Sequence, residues 1–194
     1  MSYLNKSERK KLILEVAKSI ALDDGLAKLT VRNIAQKASL SVGLIHHHYS
    51  SIQELKAQVF TELAYQNLDI SLFPEAMRWH DKLLHILGFL SPQDELSYIR
   101  LWNEAEKISI SDDEFSKVYW KAIETWKEKI IEILDLKKND IHQINFDDLA
   151  WQLIGLTLGF ERLSQLNNDV LSIEYISELV LQIVEKDRIR LANK

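Results

Sequence analysis

Residues 30–51 of this 194-residue chain read TVRNIAQKASLSVGLIHHHYSS, a pattern of two short helices separated by a tight break. Thr30 and Ser41 are placed as N-caps, since a hydroxyl oxygen accepts a hydrogen bond from the free amides of a first helical turn. Ala35 is small enough for two helices to cross above it, and Ile45 supplies an inward apolar side chain for the second helix. This spacing predicts a helix-turn-helix, the unit that places a recognition helix in a major groove.

The second helix of this unit presents an unusual surface. With Ile45 turned inward, the residues left to face outward are Ser41, Val42, Leu44, His46 and His47. A helix of about two turns with three consecutive histidines is a poor core element, which favours DNA binding over the alternative of a helical hairpin buried in a core.

Residues 41–49 contain no Lys or Arg, although they are expected to lie against DNA. We hypothesise that His46 and His47 supply positive charge when protonated, a form that nearby phosphates favour. The alternative is that both histidines stay neutral and donate ordinary hydrogen bonds.

Charge is unevenly distributed along the chain. The formal net charge is −5, yet residues 1–58 contain nine Lys/Arg and five Asp/Glu, a balance of +4, which leaves −9 for the remainder. A basic first segment joined to an acidic remainder is typical of a nucleic-acid-binding module attached to a second domain. The alternative is a chance distribution over a solvated surface.

The absence of cysteine excludes a disulfide scaffold and Cys-based zinc chemistry, and it suits a reducing cytosol. No apolar run approaches the roughly 20 residues that a spanning helix needs. We therefore expect a cytoplasmic protein with no membrane partner.

Helical periodicity extends over nearly the whole chain and predicts an all-α fold of about nine helices. Gly25 is expected to end the first helix, and Pro74 to begin a helix that ends at Gly88. Further predicted boundaries are capping boxes at Ser51–Glu54 and Ser111–Glu114, an N-cap at Ser91, a loop at 137–145, and closing helices at 147–165 and 172–190.

The segment 30–51 resembles the helix-turn-helix of the tetracycline-repressor (TetR) family of transcriptional regulators. The combination that carries the resemblance is the T-x-R-x-I-A start, Gly43, the histidine cluster and the serine before the fourth helix. The resemblance implies an all-helical homodimer, a ligand-responsive repressor that binds a near-palindromic duplex operator. It also implies a helix-turn-helix domain at residues 1–50 and a ligand-binding and dimerisation domain at 51–194.

Carried over position by position, the resemblance implies a set of DNA-binding residues. These are Thr30, Arg32, Ser41, Val42, Gly43, Leu44, His46, His47, His48, Tyr49 and Lys56. Two positions depart from the family pattern: Ser39 replaces the usual turn glycine, and Ile52 replaces a lysine that often reaches a phosphate. Lys56, one turn further along, would have to replace that lysine.

Two stretches of the remainder resemble the choline-responsive, BetI-like branch of this family: RLWNEA at 100–105 and LIGLTLGFER at 153–162. All five tryptophans lie in this acidic part, and aromatic faces beside carboxylates suit a quaternary amine or another organic cation. The alternative is that the tryptophans are core residues. The predicted pocket residues are Trp102, Glu106, Trp120, Trp151 and Phe160.

The helix predicted at 147–165 is apolar nearly all round, so it must be covered on more than one side. Gly155 and Gly159, one turn apart, would let another helix approach closely. We predict that this helix and the last one pair with their copies in a dimer interface, the alternative being burial within one chain. The predicted interface residues are Gly155, Gly159, Ile176, Val180 and Ile183.

No catalytic or metal centre is predicted. Successive side chains of His46–His48 point about 100° apart, whereas metal-binding pairs on a helix sit at i, i+3 or i+4. No serine lies in a glycine-flanked elbow, and no glycine-rich phosphate loop is present. We expect no enzymatic activity, no cofactor and no metal. A helical enzyme and a helical binding protein that does not touch DNA are the alternatives.

Overall fold

The computed structural model describes residues 5–90, 92–135, 146–167 and 169–192, and for 92–95 and 186–192 it describes the backbone alone. Within these ranges the chain is all-α, as predicted, with nine α-helices and two short 3-10 helices. The helices are α1 (Lys6–Asp24), α2 (Val31–Ala38), α3 (Val42–His48), α4 (Ile52–Asn67), α5 (Trp79–Ile86), α6 (Pro92–Ser111), α7 (Asp113–Asp135), α8 (Phe146–Ser164) and α9 (Ile173–Ala192). None of these helices has the length and apolar character needed to cross a membrane.

Three predicted helix boundaries are confirmed. Gly25 follows the last residue of α1, where its N–H donates to the Ala21 carbonyl. The hydroxyl of Thr30 accepts a hydrogen bond from the Asn33 amide at 3.2 Å, and α2 begins there. Ser41 caps α3 in the same way. The predicted loop at 137–145 and the predicted N-cap at Ser91 lie outside the described residues.

Two predicted boundaries are wrong. Ser111 is the last residue of α6 rather than a cap, and Asp112 caps α7 by accepting from the Phe115 amide at 3.0 Å. Aspartate is as strong an N-cap as serine and lies one residue nearer the helix. Pro74 lies in a turn, and α5 begins only at Trp79.

The described helices form two compact units, and packing in the first extends beyond α4. This unit contains α1 to α4, nearly all of α6 and the first part of α7 to Ala122. Its core combines apolar residues of all these helices, among them Ile13, Ala17, Ile34, Ile45, Phe60, Leu101 and Phe115. The predicted division at residue 50 concerns function and stays a prediction. The packing groups α4 and α6 with the helix-turn-helix.

The second unit contains α5, the part of α7 from Ile123, and the pair α8 and α9. The buried side of α8 includes Leu149, Leu153 and Ile154, and the buried side of α9 includes Ile176, Val180 and Val184. The Ser177 hydroxyl donates to the Ile173 carbonyl of its own helix at 2.7 Å and lies 3.4 Å from the Phe89 carbonyl. These contacts pack α9 within its own unit.

A pair of polar contacts holds α6 to the end of α1 in the first unit. Gly25 has φ +91° and ψ 163°, a conformation that only glycine adopts readily. The Glu104 carboxylate lies over it and accepts a hydrogen bond from the Ala27 amide at 3.1 Å. One turn earlier on α6, Arg100 donates to the Leu22 carbonyl. The end of α1 therefore has a fixed position relative to α6.

We predict that Gly25→Ala destabilises the protein by about 1–3 kcal/mol, the usual cost of this backbone region for a residue with a Cβ. The added Cβ would also lie 2.5 Å from a Glu104 oxygen. Urea-induced unfolding measures the loss. Gly88→Ala is the control, because Gly88 also has positive φ (79°) but has open space where its Cβ would be. Equal losses in both variants would contradict a role for the Glu104 contact.

Candidate nucleic-acid interface

The turn between α2 and α3 is held by backbone geometry. Ser39 has φ 55° and ψ 41°, the left-handed conformation that glycine usually supplies in such a turn. Its N–H donates to the Gln36 carbonyl at 3.3 Å, and the N–H of Leu40 donates to the Ala35 carbonyl at 2.9 Å. These bonds close the end of α2 and set the direction in which α3 leaves. Ser39 thus adopts the turn conformation in place of the usual glycine.

Helix α3 buries one of its seven residues, Ile45, which is 1% exposed. The side chains predicted to face outward do so: Ser41, Val42, His46 and His47 are exposed, and Leu44 is half-buried. Val42 is 46% exposed at the start of the helix. Gly43 is exposed beside it with open space above its Cα, so α3 presents a surface that a partner can approach closely. Thr30 and Arg32 are exposed at the start of α2.

Tyr49 does not fit the predicted direct contact with DNA. Its ring is 2% exposed, and its hydroxyl is buried with no hydrogen-bond partner among the described residues. Burial, helped by the charges of Glu62 and Glu54, raises the pKa of Tyr49 to about 12. Tyr49 follows Ile45 by four residues, so both lie on the inward side. That spacing was the sequence signal that could have placed Tyr49 in the core.

His48 also turns towards the protein. It is half-buried, its Nε2 is buried without a partner in the described chain, and its ring meets that of His47 edge-on at 5.6 Å. Burial lowers the pKa of His48, and the charges of His47, Lys6, Arg9 and Lys10 lower it further. A neutral, inward imidazole is unsuited to the predicted phosphate contact.

Lys56 is half-buried on α4, which limits its reach towards a phosphate. Burial lowers the pKa of its ammonium, and the opposite charge of Glu104 partly offsets that effect.

The predicted capping box at the start of α4 differs in one of its two hydrogen bonds. Ser51 accepts from the Glu54 amide at 3.0 Å, but the Glu54 carboxylate accepts from the Ser50 amide at 2.8 Å instead of from Ser51.

Sequence reasoning missed three cations that act on the end of α3, because they come from another helix. Lys6, Arg9 and Lys10 share one face of α1 at i, i+3 and i+4, and all three charges act on His48 at the end of α3. The Lys10 Nζ lies 5.4 Å from the centre of the Tyr49 ring, within cation–π range. The spacing of these residues was visible in the sequence, but their position beside α3 depends on how α1 packs.

The five predicted pocket residues divide between the two units. In the first, Trp102 is half-buried and meets Phe60 edge-on at 5.2 Å, whereas Trp120 is 54% exposed. Glu106 is half-buried one turn after Trp102.

In the second unit, Phe160 is half-buried, and the Lys127 ammonium lies 5.3 Å from the centre of the Trp151 ring. Trp151 therefore does not fit the prediction that it receives a ligand cation, since its face already meets a cation of the protein.

Two of the five predicted dimer residues do not fit an interface. Ile176 and Val180 are 2% and 0% exposed, because they lie on the inward stripe of α9. Ile183 is half-buried. Gly155 and Gly159 are exposed on α8 with open space above each Cα. The exposed apolar residues that the prediction missed in this unit include Leu163, Leu166 and Tyr175.

The lowered pKa of His48 predicts a pH-dependent stability. Between its native pKa and the ordinary histidine value of about 6.5, the unfolded chain binds more protons than the native one. Stability therefore falls as pH drops below about 6.5, by at most about 1.4 kcal/mol per pH unit for one proton. Urea unfolding of the wild type and of His48→Asn, at about pH 7.5 and about pH 5.5, measures the difference. We expect a smaller loss in the variant; an equal loss would contradict a buried neutral His48.

Comparison with known proteins finds a DNA-binding domain at the segment that contains the turn at Ser39 and the exposed helix α3. The family model of the N-terminal domain of "Bacterial regulatory proteins, tetR family" matches residues 13–59, which include most of α1, all of α2 and α3 and the start of α4. No curated protein sequence gives a significant match.

Solved structures share the fold over most of their length. A TetR transcription regulator from Haloarcula marismortui superposes with a TM-score of 0.73 at 15% identity, covering 93% of this chain and 98% of the other. A putative transcriptional regulator from Saccharomonospora viridis in complex with choline gives 0.71 at 18%, covering 93% and 97%. A TetR-family regulator from Cytophaga hutchinsonii gives 0.68 at 15%, covering 95% and 98%.

The matched family and these structures are of regulators, not enzymes. The match covers the turn at Ser39 and the exposed helix α3, which are the parts that a DNA-recognition unit requires. Residues 13–59 therefore match the DNA-binding domain of the tetR family of bacterial regulatory proteins, and the protein is a DNA-binding transcriptional regulator.

Proposed function

We propose that this regulator binds DNA as a homodimer, with α3 of each chain in a major groove, and that a small organic cation controls its affinity. The observation that carries the DNA-binding part is the exposure of α3, a seven-residue helix in which Ile45 is the one buried residue. A helix with so little buried surface contributes little to the core, so its exposed side chains are available to a partner.

The proposed base-contacting surface consists of Val42, Gly43, Leu44, His46 and His47. Val42 and Leu44 suit apolar contact with thymine methyl groups, and the histidines suit hydrogen bonds to base edges or phosphates. Thr30, Arg32 and Ser41 flank this surface and are proposed to contact the backbone, which fixes the register of a protein on the duplex. Tyr49 and His48 support the surface from inside.

The proposed dimer uses the exposed face of α8. Gly155, Gly159 and Leu163 follow one another at four-residue steps along that face, and Leu166 lies just after the end of the helix. Leu163 and Leu166 are 50% and 82% exposed. Apolar side chains beside two glycines suit close helix–helix packing between copies. A two-fold axis would hold the two recognition helices about 34–36 Å apart, which matches successive major grooves of a near-palindromic operator.

The proposed effector is a quaternary amine or a related organic cation, and its proposed contacts are on α6. Trp102 and Glu106 are one turn apart, so an aromatic ring and a carboxylate lie on the same side of the helix. The structurally similar Saccharomonospora viridis regulator was crystallised with choline, which supports this ligand class. Binding of the effector would change DNA affinity by stabilising one conformation of the dimer over another. The protein would then act as a repressor that the effector either releases from its operator or brings to it.

We predict that a duplex selected from random-sequence DNA binds two chains, and that its affinity rises as pH falls from about 8 to about 6. The reason is that His46 and His47 gain charge next to phosphates over that range. Fluorescence anisotropy with the labelled duplex measures both quantities. In the double variant His46→Gln, His47→Gln, we expect a flat pH profile.

Tyr49→Phe is the control for this experiment, because it removes only a buried hydroxyl and is expected to leave affinity unchanged. An unchanged pH profile in the histidine variant would overturn the charge hypothesis alone. Absence of salt-dependent binding to any selected duplex would contradict the proposed function as a whole.

We further predict that choline quenches the tryptophan fluorescence of the protein saturably, and that Glu106→Gln weakens its binding by about tenfold or more, equivalent to about 1.4 kcal/mol. Trp151→Phe is the control, since Lys127 lies on that ring. Absence of saturable quenching, or equal weakening in both variants, would contradict the proposed site on α6.

A further inference from the structure

The first turns of α1 carry a cluster of cations beside the recognition helix. Lys6, Arg9 and Lys10 lie on one face of α1, and Lys10 is placed at the end of α3 by its contact with the Tyr49 ring, 5.4 Å from Nζ to the ring centre. Lys6 and Lys10 are exposed and Arg9 is half-buried. The charges of all three residues lower the pKa of His48, the last residue of α3.

Nearby acidic groups neutralise this cluster only in part. Glu8 lies among the three cations in sequence, but its carboxylate accepts from the Asn5 amide at 2.7 Å and completes the cap of α1. The charge of Lys10 contributes to the lowered pKa of Glu54, but the Glu54 carboxylate accepts its hydrogen bonds from the Ser50 hydroxyl and amide. Within the part of the chain that the structure describes, neither Lys6 nor Lys10 forms a salt bridge.

The adjacent surface of α3 has no permanently charged cation of its own. Residues 41–49 contain no Lys or Arg, and burial, together with these same cations, lowers the pKa of the inward His48. Like charges gathered on one exposed face repel one another, and a polyanion that covers the face relieves this repulsion while releasing its own counterions.

We propose that Lys6 and Lys10, with Arg9 between them, form a phosphate-binding face, termed the α1 face, in which the two lysines hold the DNA backbone next to the groove that α3 enters. This inference rests on the proposed DNA binding and assigns its electrostatic part to residues outside the helix-turn-helix. The α1 face contacts phosphates and not base edges, so it contributes affinity for any sequence, whereas the exposed surface of α3 distinguishes one sequence from another.

The test is the salt dependence of binding to the selected duplex. Each phosphate contact that is lost lowers the slope of log K against log salt concentration by about 0.9. We expect this decrease in Lys6→Gln and in Lys10→Gln, and roughly twice the decrease in the double variant. The loss of affinity should be the same for the selected duplex and for an unrelated one, because the lost contacts do not depend on sequence.

Lys11→Gln is the matched control, since Lys11 is an exposed lysine of the same helix, about 100° from Lys10 and not among the charges that act on His48. We expect it to leave the salt slope unchanged. Thermal melting of each variant confirms that the fold is retained. Equal slopes in Lys6→Gln, Lys10→Gln and Lys11→Gln, with the wild type still binding, would overturn the α1 face alone. Absence of duplex binding by the wild type would instead overturn the proposed function.

Discussion

The burial of Ile45 is the contact on which the recognition surface depends. It is the only residue of α3 that enters the core, where it joins residues of α1 and α2 such as Ile13 and Ile34. Tyr49, one turn later, adds a second buried side chain. It is also the residue at which the helix ends, with the extended backbone angles φ −133° and ψ 128°. Because these two residues fix both the position and the rotation of α3, every other side chain of the helix has a defined direction.

The same packing separates two tasks that DNA binding requires. Sequence discrimination needs apolar and hydrogen-bonding groups near base edges, and α3 supplies these without permanent charge. Attraction to the phosphate backbone needs cations, and the first turns of α1 bring them beside the end of α3. A chain with a net charge of −5 can therefore approach a polyanion, because residues 1–58, which hold the proposed contacts with DNA, have a local balance of +4.

Local features of this protein were predictable from the sequence, whereas features set by packing between helices were not. The N-caps at Thr30 and Ser41, the inward Ile45 and the turn at Ser39 each depend on residues within a few positions, and all four were predicted. The periodicity of α9 showed an apolar stripe, but it did not show whether α8 of the same chain or a second copy covers Ile176 and Val180. Lys127 lies 24 residues from Trp151, so no local pattern links this pair.

The position of α3 in the groove can be tested directly, because the chain has no cysteine and a single one can be introduced. Val42→Cys, carrying an iron chelate that generates hydroxyl radicals, would report which nucleotides lie beside the start of α3. The account predicts cleavage at two places about 10–10.5 base pairs apart within the bound duplex, one for each chain of the dimer. Bound protein that cleaves at no defined position, or that cleaves only when the chelate is moved to Leu166→Cys just after the end of α8, would contradict it.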